Sequence, residues 1–242
     1  MRDRLIVAGG VVILTALAWI YLIRMARSMA AMAMPEMNMW ATPDLSMLFV
    51  MWAVMMVAMM LPSAAPVIVL AVGTYRRRAG PAAWLIAGVF LGGYLIAWCL
   101  FSAVAALAQD GLHRMALLSP SMTASSAFLG GAILIVAGAY QWLPFKERCL
   151  SHCRSPMGFL MTEWREGLRG ALRMGFRHGA FCVGCCWALM LLLFFAGVMN
   201  LVWVAAIAVL VLVEKASRLG PLAGRVTGAA LVVWGAIVIA RG

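Results

Sequence analysis

Long apolar runs are the feature of this sequence that most restricts its fold. Several of them reach or exceed the roughly 20 residues that a helix needs to cross a hydrocarbon layer about 30 Å thick. We predict seven such spans, at Leu5–Ile23, Met47–Val72, Trp84–Ala108, Met122–Trp142, Phe176–Ala196, Met199–Val213 and Val226–Ala240. The fold expected from this pattern is an all-α, polytopic membrane helix bundle.

The composition excludes most classes of soluble protein. Hydrophobic residues make up 66% of the 242 residues and charged residues only 11%, and the mean hydropathy is +1.01. A soluble core of this size could not bury so much apolar surface, so a soluble enzyme, a secreted disulfide scaffold and a disordered segment are ruled out. The sequence also lacks nucleotide-binding, Gly-x-Ser-x-Gly and His-Glu-x-x-His motifs. A non-enzymatic role is therefore favoured, with cysteine chemistry left open.

The basic residues indicate the orientation of the bundle. If the N-terminus lies in the cytoplasm, 15 of the 19 Lys and Arg residues fall on the cytoplasmic side, including the run Arg76–Arg78. The exceptions are Arg24, Arg27, Arg114 and Arg241. Because cytoplasmic loops are rich in Lys and Arg, we predict a multi-pass protein of the inner (plasma) membrane with a cytoplasmic N-terminus and an external C-terminus. The net charge of +11 is then a topology signal, and no nucleic-acid partner is expected.

Two regions follow from the order of the spans. Residues 1–46 are interpreted as a membrane anchor followed by a Met-rich external loop, and residues 47–242 as a helix bundle with a Cys-containing cytoplasmic loop. Arg2 and Arg4 precede the first span as in a signal peptide. Its apolar stretch of about 19 residues is long for a signal peptide, so we interpret it as an anchor.

One amphipathic helix is predicted on the cytoplasmic membrane surface. Within Phe159–Met174, apolar side chains are interleaved with Arg165, Arg169 and Arg173. This pattern is typical of a helix that lies along the interface with its basic face towards water and phospholipid headgroups.

Glycines recur at four-residue spacing in two places. One set is Gly88 and Gly92, and the other is Gly220, Gly224 and Gly228. Small residues at this spacing let the backbone of another helix approach closely, so both sets predict tight helix packing.

Methionine is strongly over-represented in the first quarter of the chain. Of the 20 methionines, 12 lie between Met25 and Met60, and six of these fall in the predicted external loop Met25–Met39. The candidate ligands in this loop are Met29, Met32, Met34, Met37 and Met39. Thioether sulfur is a soft, neutral ligand that suits Cu(I) or Ag(I) and is poor for Zn, Mg or Ca. The loop therefore predicts capture of a soft metal ion, and the alternative is that Met extends an apolar helix into the interface.

A second set of methionines forms a stripe along the second span. Its members are Met47, Met51, Met55 and Met59, with Met56 and Met60 beside them. At 1.5 Å per residue the stripe descends about 18 Å on roughly one helix face. It predicts a relay that passes a monovalent soft ion between neutral ligands, with bundle packing as the alternative. Pro62 and Pro66 are expected to break or kink the helix beyond it.

A cysteine ladder occupies the fifth span. His178, Cys182, Cys186 and Met190 recur every four residues, and Cys185 lies on the adjoining face. The ladder climbs about 18 Å from the cytoplasmic surface, so it would overlap the Met stripe near the bilayer midplane if the second and fifth spans were neighbours. Ionisable groups at that depth usually mark a site or a pathway. The alternative is that these cysteines are small packing residues.

A further cluster, Cys149, His152 and Cys153, lies in the basic cytoplasmic loop. Two thiols four residues apart could clasp a two- or three-coordinate soft ion, and the neighbouring basic residues favour the thiolate form. Zinc is an option here if Cys149, Cys153 and Cys182 combine with His152 in a Cys₃His set. A permanent disulfide is not expected in the cytoplasm.

Together these motifs resemble those of a bacterial family. The matching segments are Met-Trp-Ala-Val-Met-Met-Val-Ala-Met-Met-Leu-Pro-Ser (51–63), Cys-Leu-Ser-His-Cys-Arg-Ser-Pro (149–156), Cys-Val-Gly-Cys-Cys-Trp-Ala-Leu-Met (182–190), Gly-Val-Met-Asn (197–200) and Glu214–Lys215. The family consists of predicted metal-binding integral membrane proteins of unknown function, so the resemblance implies metal binding without a reaction. The Met51-x-x-x-Met55 step is also similar to the helix motif of eukaryotic Ctr copper-uptake proteins. The Cys185–Cys186 pair is similar to the thiol pair of bacterial mercury-uptake proteins.

The function predicted from the sequence is soft-metal translocation or delivery, with Cu(I) favoured over zinc or mercury. The external methionines would capture the ion, and the stripe would pass it inwards. Cys186, Cys182 and His178 would then deliver it towards Cys149 and Cys153. The expected partners are the lipid bilayer, the metal ion and a copper chaperone or copper enzyme, and oligomerisation is left open.

Two other functional classes stay open at this point. One is a membrane thiol–disulfide oxidoreductase that uses Cys182 and Cys185 as a Cys-x-x-Cys pair. The other is an accessory subunit of a larger membrane complex, in which Met and Cys serve only in packing.

Overall fold

The computed structural model describes residues 2–32, 44–79, 83–117 and 124–242 of the chain. Helices make up nearly all of these residues, which confirms the all-α prediction. In chain order the helices are α1 (Arg2–Met32), α2 (Leu45–Ala79), α3 (Ala83–Arg114), α4 (Ala127–Tyr140), α5 (Pro144–Arg154), α6 (Pro156–Glu163), α7 (Gly167–Ala196), α8 (Leu201–Ala216) and α9 (Gly220–Arg241).

The long helices fit a multi-pass membrane protein. Five of the described helices are long and apolar enough to cross a membrane, namely α1, α2, α3, α7 and α9, and a sixth crossing results if α4 and α5 are taken as one bent span. The described helices therefore provide fewer membrane crossings than the seven spans predicted from the sequence. The predicted sixth span corresponds to α8, which has 16 residues, and the fourth to α4, which has 14. Helices of these lengths extend only about 24 Å and 21 Å, less than the ~30 Å core.

The chain turns sharply between α4 and α5, whose axes differ by 64°. Pro144 begins α5, and a proline is tolerated in the first turn of a helix although it cannot continue the helix before it. The turn lays α5 against α7. Cys149 and Cys153, which were predicted in a loop, therefore lie on one buried face of a helix.

The amphipathic helix predicted over Phe159–Met174 does not form as one helix. A non-helical break at residues 164–166 separates α6 from α7, and Gly167 follows it with φ +74°. The break is held by a tertiary contact, because the Tyr75 hydroxyl of α2 donates to the Arg165 carbonyl at 2.7 Å. The apolar and basic residues do alternate along this segment, but the pattern is divided between α6 and α7.

α1 is a peripheral helix of the bundle. Only 17% of its most apolar window is buried inside the protein. The helix extends to Met32, so the start of the segment Met25–Met39 is helical and not part of a loop. Ala, Met and Arg favour helix, which explains the continuation. Met34, Met37 and Met39 lie outside the described residues, as do the side chains of Met29 and Met32.

The backbones of α3 and α7 approach closely through small residues. A Cβ atom placed at Gly179 would lie 2.9 Å from the Tyr94 carbonyl oxygen and 2.6 Å from the Cβ atom of Ala97. A larger residue at this position would force the two helices apart. The close approach places Tyr94 beside the cysteines of α7.

The packing predicted for glycines is correct in α9 and wrong for the pair in α3. A Cβ atom at Gly228 would lie 2.9 Å from the Gly138 carbonyl oxygen of α4, whereas one at Gly88 or Gly92 would meet no described atom within 4 Å. In α3 it is Gly93 that faces α7. Spacing predicts that a glycine face packs, but it does not say on which side of the helix the partner lies.

α2 continues through Pro62 and Pro66 as one helix, so the expected break does not occur. Helices in membranes tolerate proline where neighbouring groups supply hydrogen bonds to the backbone. At this level of α2, the hydroxyls of Tyr94 and Ser63 donate to the Met60 carbonyl at 3.1 Å and 2.8 Å, whereas the carbonyls that the two prolines leave without a helical donor are those of Ala58 and Pro62.

Candidate metal centre

Three thiols lie within about one turn of α7 in the interior of the protein. Cys182, Cys185 and Cys186 are each 1% exposed, and all are free thiols in the described structure. The helix backbone orients two of them, because the Cys185 and Cys186 thiols donate to the Cys182 carbonyl oxygen at 3.1 Å and 2.8 Å. Loss of the S–H proton would release these hydrogen bonds and give the thiolate form that binds a metal ion.

α5 brings a fourth thiol to this cluster. Cys153 Sγ lies 4.0 Å from Cys185 Sγ, across the contact between α5 and α7. A metal–thiolate bond is about 2.3 Å long, so two sulfur atoms that share one ion lie at most about 4.6 Å apart. The two thiols are therefore at a spacing that one soft ion could bridge with little movement.

The remaining members of the α5 cluster do not join the thiols in a zinc site. Cys149 packs on the backbone of α7, where a Cβ atom at Gly184 would lie 2.8 Å from its sulfur. The His152 imidazole donates from Nδ1 to the Arg148 carbonyl at 2.8 Å and stacks on Phe181 with ring centroids 4.2 Å apart. These contacts engage the imidazole elsewhere, so the predicted Cys₃His set is not assembled.

Met60 of α2 reaches the same cluster. Its Sδ atom lies 3.8 Å from Cys186 Sγ, although 126 residues separate the two along the chain. The sequence pattern placed Met60 beside the stripe and not in it. The second and fifth predicted spans, now α2 and α7, thus meet through these side chains, and α3 packs against both helices.

The methionine stripe itself lies largely in the interior. Met51, Met55 and Met59 are 2%, 1% and 2% exposed, whereas Met47 is 51% exposed. The stripe therefore runs from a surface residue into the buried face of α2, towards the level of Met60. Burial of this kind fits a relay and fits packing equally well.

A buried ammonium group borders the thiols. Lys215 of α8 is 7% exposed, and its Nζ atom donates to Cys182 Sγ at 2.9 Å and to Ser63 Oγ at 3.1 Å. The Tyr94 hydroxyl lies 3.2 Å from the same sulfur. An isolated cation is costly to bury, and a thiolate at Cys182 would compensate it. The thiolate is also the form of cysteine that binds metal.

A second buried cation forms an ion pair next to the first. Lys146 Nζ lies 2.7 Å from Glu214 Oε2, and the two side chains are 3% and 2% exposed. Lys146 also contacts the side-chain oxygen of Gln141. Lys146 neutralises Glu214, so Glu214 does not cancel the charge of the adjacent Lys215. That charge is available to stabilise a thiolate at Cys182.

His178 and Met190 lie one turn before and one turn after these thiols on α7. They are 2% and 0% exposed. The imidazole stacks on Tyr94 with centroids 5.8 Å apart and meets Phe159 edge-on at 4.9 Å. Its Nδ1 atom is buried without a hydrogen-bond partner among the described residues. This nitrogen is therefore a further candidate ligand.

The site consists of sulfur pairs and not of a preformed cage. Within the described ranges, no three His, Cys, Asp or Glu side chains are grouped so as to hold a metal ion. The sulfur contacts include Cys153 with Cys185 and Cys186 with Met60, and Cys182 lies beside both Cys153 and Cys186. Sequence reasoning did not include Met60 or Lys215 among the ligands and their neighbours. A signal for Lys215 was present, because Glu-Lys at the end of an apolar run is costly in a membrane unless it has a role.

Comparison with known proteins identifies the family. No curated protein and no solved structure shows significant similarity to this chain. One family model, PpoB2, described as a copper chaperone, matches residues 49–238, more than three quarters of the chain. The match includes every cysteine and both sulfur pairs, which agrees with the resemblance to a metal-binding family. The chain therefore belongs to the PpoB2 family of copper chaperones.

Proposed function

We propose that the protein binds Cu(I) between the buried sulfur atoms of α7, α5 and α2 and hands it on to a copper enzyme. The observation that carries this proposal is the paired approach of four sulfur atoms. Cys153 Sγ is 4.0 Å from Cys185 Sγ, and Cys186 Sγ is 3.8 Å from Met60 Sδ. Membership of a copper chaperone family supports copper as the ion.

Coordination chemistry favours Cu(I) over zinc at these pairs. Thiolate and thioether ligands select soft ions such as Cu(I). A structural zinc site needs four ligands in a tetrahedron, and no such set is grouped among the described side chains. Hg(II) shares the preference for thiolates, and the family assignment favours copper over it.

Charge balance supports a monovalent ion. A Cu(I) ion held by two thiolates carries one net negative charge, which would be costly in an apolar interior. Lys215 supplies one positive charge 2.9 Å from Cys182 Sγ. With the Cys182 thiol protonated, the complex and the Lys215 ammonium would together be neutral, so the site can hold copper without an uncompensated buried charge.

The arrangement of sulfur atoms suggests a route for the ion. In this proposal the external methionines capture copper, and Met51, Met55 and Met59 pass it along α2 to Met60. Exchange from the Met60 thioether to the Cys186 thiolate would transfer it to α7, from which His178 and α5 would deliver it. The excess of basic residues in the predicted cytoplasmic loops supports the orientation in which the methionine loop is external and α5 is cytoplasmic. Ligand exchange between neighbouring soft groups needs no nucleotide.

Cu(I) binding by the purified protein tests the proposal. The double variant Cys185→Ser/Cys186→Ser removes one sulfur atom from each pair and should lose stoichiometric Cu(I) binding in competition with a chromophoric Cu(I) chelator under reducing conditions. Cys99→Ser is the matched control, because Cys99 is an exposed thiol of α3, and it should bind copper like the parent.

Two results would contradict the proposal. Unchanged Cu(I) binding by the double variant would remove the cluster from copper chemistry. A Cys153–Cys185 disulfide in the protein as isolated, found by titrating thiols before and after reduction, would favour the thiol–disulfide oxidoreductase instead. Equal amounts of each variant in the membrane fraction would show that the losses do not reflect failed insertion.

A further inference from the structure

A cavity with charged and apolar side chains in its lining lies between α5 and the first turns of α9, beside the Lys146–Glu214 ion pair. Its volume is about 160 Å³, and its lining includes Gln141, Lys146, Arg154 and Arg225. A cavity needs only about 10–15 Å³ to hold one water molecule, so this one has room for a tetrahedral anion. It is separate from the sulfur pairs, and the proposed copper chemistry does not use it.

The charges around the cavity favour an anion. Three cationic side chains, Lys146, Arg154 and Arg225, line it, against one carboxylate in the lining, Glu147. Glu214 is the ion-pair partner of Lys146 through Oε2, and its Oε1 atom lies 3.1 Å from a Cβ atom placed at Gly224 of the lining, without a hydrogen-bond partner among the described residues. The balance over these five groups is one positive charge. The beginning of α9 adds the positive end of a helix of 22 residues.

A buried hydrogen-bond donor at this cavity lacks an acceptor. Gln141 is 7% exposed and lines the cavity, and its Nε2 atom has no hydrogen-bond partner among the described residues. Buried polar groups are nearly always paired, so an unpaired amide at this cavity is evidence of a ligand that accepts hydrogen bonds. A phosphate oxygen has that property.

The surroundings of the cavity place it at a membrane interface. Trp142 forms part of the lining and is 48% exposed, and the nearby Phe145 and Leu222 are each 59% exposed. Exposed aromatic and aliphatic side chains next to arginines are typical of the headgroup level of a bilayer. Basic pockets between membrane helices bind anionic headgroups.

We propose that the cavity between α5 and α9 is a binding site for the phosphate group of an anionic phospholipid. Arg225 would pair with the phosphate, and the Gln141 amide would donate to it. Arg154, whose Nη atoms donate to the Glu214 and Ser217 carbonyls, would add a positive charge beside the phosphate. The apolar side chains at the rim would contact the glycerol and the start of the acyl chains.

Native mass spectrometry of the purified full-length protein tests this site. Dioleoyl-phosphatidylglycerol should bind at least fivefold more tightly than zwitterionic dioleoyl-phosphatidylcholine. Arg225→Gln should remove that preference, because Arg225 is an exposed residue at the rim whose loss leaves the ion pair behind the cavity intact. Arg169→Gln, which changes an exposed arginine of α7 outside the cavity, should leave it unchanged.

Inorganic phosphate distinguishes the two sources of the anion. Failure of millimolar phosphate to displace phosphatidylglycerol would support the lipid as the ligand. Displacement by phosphate would overturn the assignment to a lipid while keeping a phosphate site. Equal binding of both lipids, or an unchanged preference in Arg225→Gln, would overturn the site itself. None of these outcomes depends on copper binding.

Discussion

The thioether of Met60 lies 3.8 Å from the thiol of Cys186, and this contact joins the methionine helix α2 to the cysteine helix α7. Both side chains are fully buried. A thioether and a thiol are both soft ligands, so an ion could exchange between them without leaving a sulfur environment. The contact is therefore the expected transfer point between the two halves of the proposed route.

Replacing Met60 with Leu removes the thioether while nearly preserving volume. We expect Cu(I) affinity to fall about tenfold, equivalent to ~1.4 kcal/mol. The free energy of unfolding should change by less than about 1.5 kcal/mol, as is usual for Met-to-Leu swaps. Chelator competition measures the affinity. Met56→Leu is the control, because Met56 is equally buried on the same helix. Equal losses in both variants would indicate packing and not ligation.

The methionine stripe can be tested as a relay by a triple substitution. Leu at Met51, Met55 and Met59 should leave the protein in the membrane at the level of the parent, because volume and apolarity are nearly preserved. Cells that carry this variant should accumulate less copper or silver, since Leu cannot bind a soft ion. Elemental analysis of whole cells measures the effect. Normal accumulation would show that the stripe serves only in packing.

The charge of Lys215 should be needed for copper binding. Lys215→Met removes the counter-charge that lies 2.9 Å from Cys182 Sγ, so we expect Cu(I) affinity to fall about tenfold or more, at least ~1.4 kcal/mol. Lys215→Arg keeps the charge and should recover most of the affinity. Chelator competition on both variants provides the comparison. If Lys215→Met bound copper as tightly as the parent, charge compensation by this residue would be excluded.

The Lys146–Glu214 pair should matter for folding more than for copper. Lys146→Met leaves Glu214 buried without its partner, and breaking such a pair costs about 3–5 kcal/mol. The double variant Lys146→Met/Glu214→Leu removes both charges and should recover most of that loss. Thermal unfolding in detergent, without added metal, measures both variants. If the double variant were as unstable as the single one, Lys146 would not stabilise the protein through its ion pair with Glu214.

The sequence alone was sufficient to predict the helical class, and it indicated which residue types are candidate soft ligands. Apolar runs of membrane length are a local property, and so is the spacing that puts Cys182 and Cys186 on one face of a helix. Soft ligands could be recognised from residue type alone. The same local reasoning predicted one amphipathic helix over Phe159–Met174. It could not include the hydrogen bond from the Tyr75 hydroxyl to the Arg165 carbonyl, which lies in the break between α6 and α7.

Only the tertiary structure decided which ligands meet. Cys153 approaches Cys185 because a turn at Pro144 lays α5 on α7, and Met60 approaches Cys186 across 126 residues. Lys215 contacts Cys182 although nothing in their separate segments relates them. Periodicity describes how side chains are distributed around one helix, whereas the rotation and offset of two helices depend on packing between their surfaces. The side chains that complete a site between helices are therefore determined by packing and not by the local pattern of either helix.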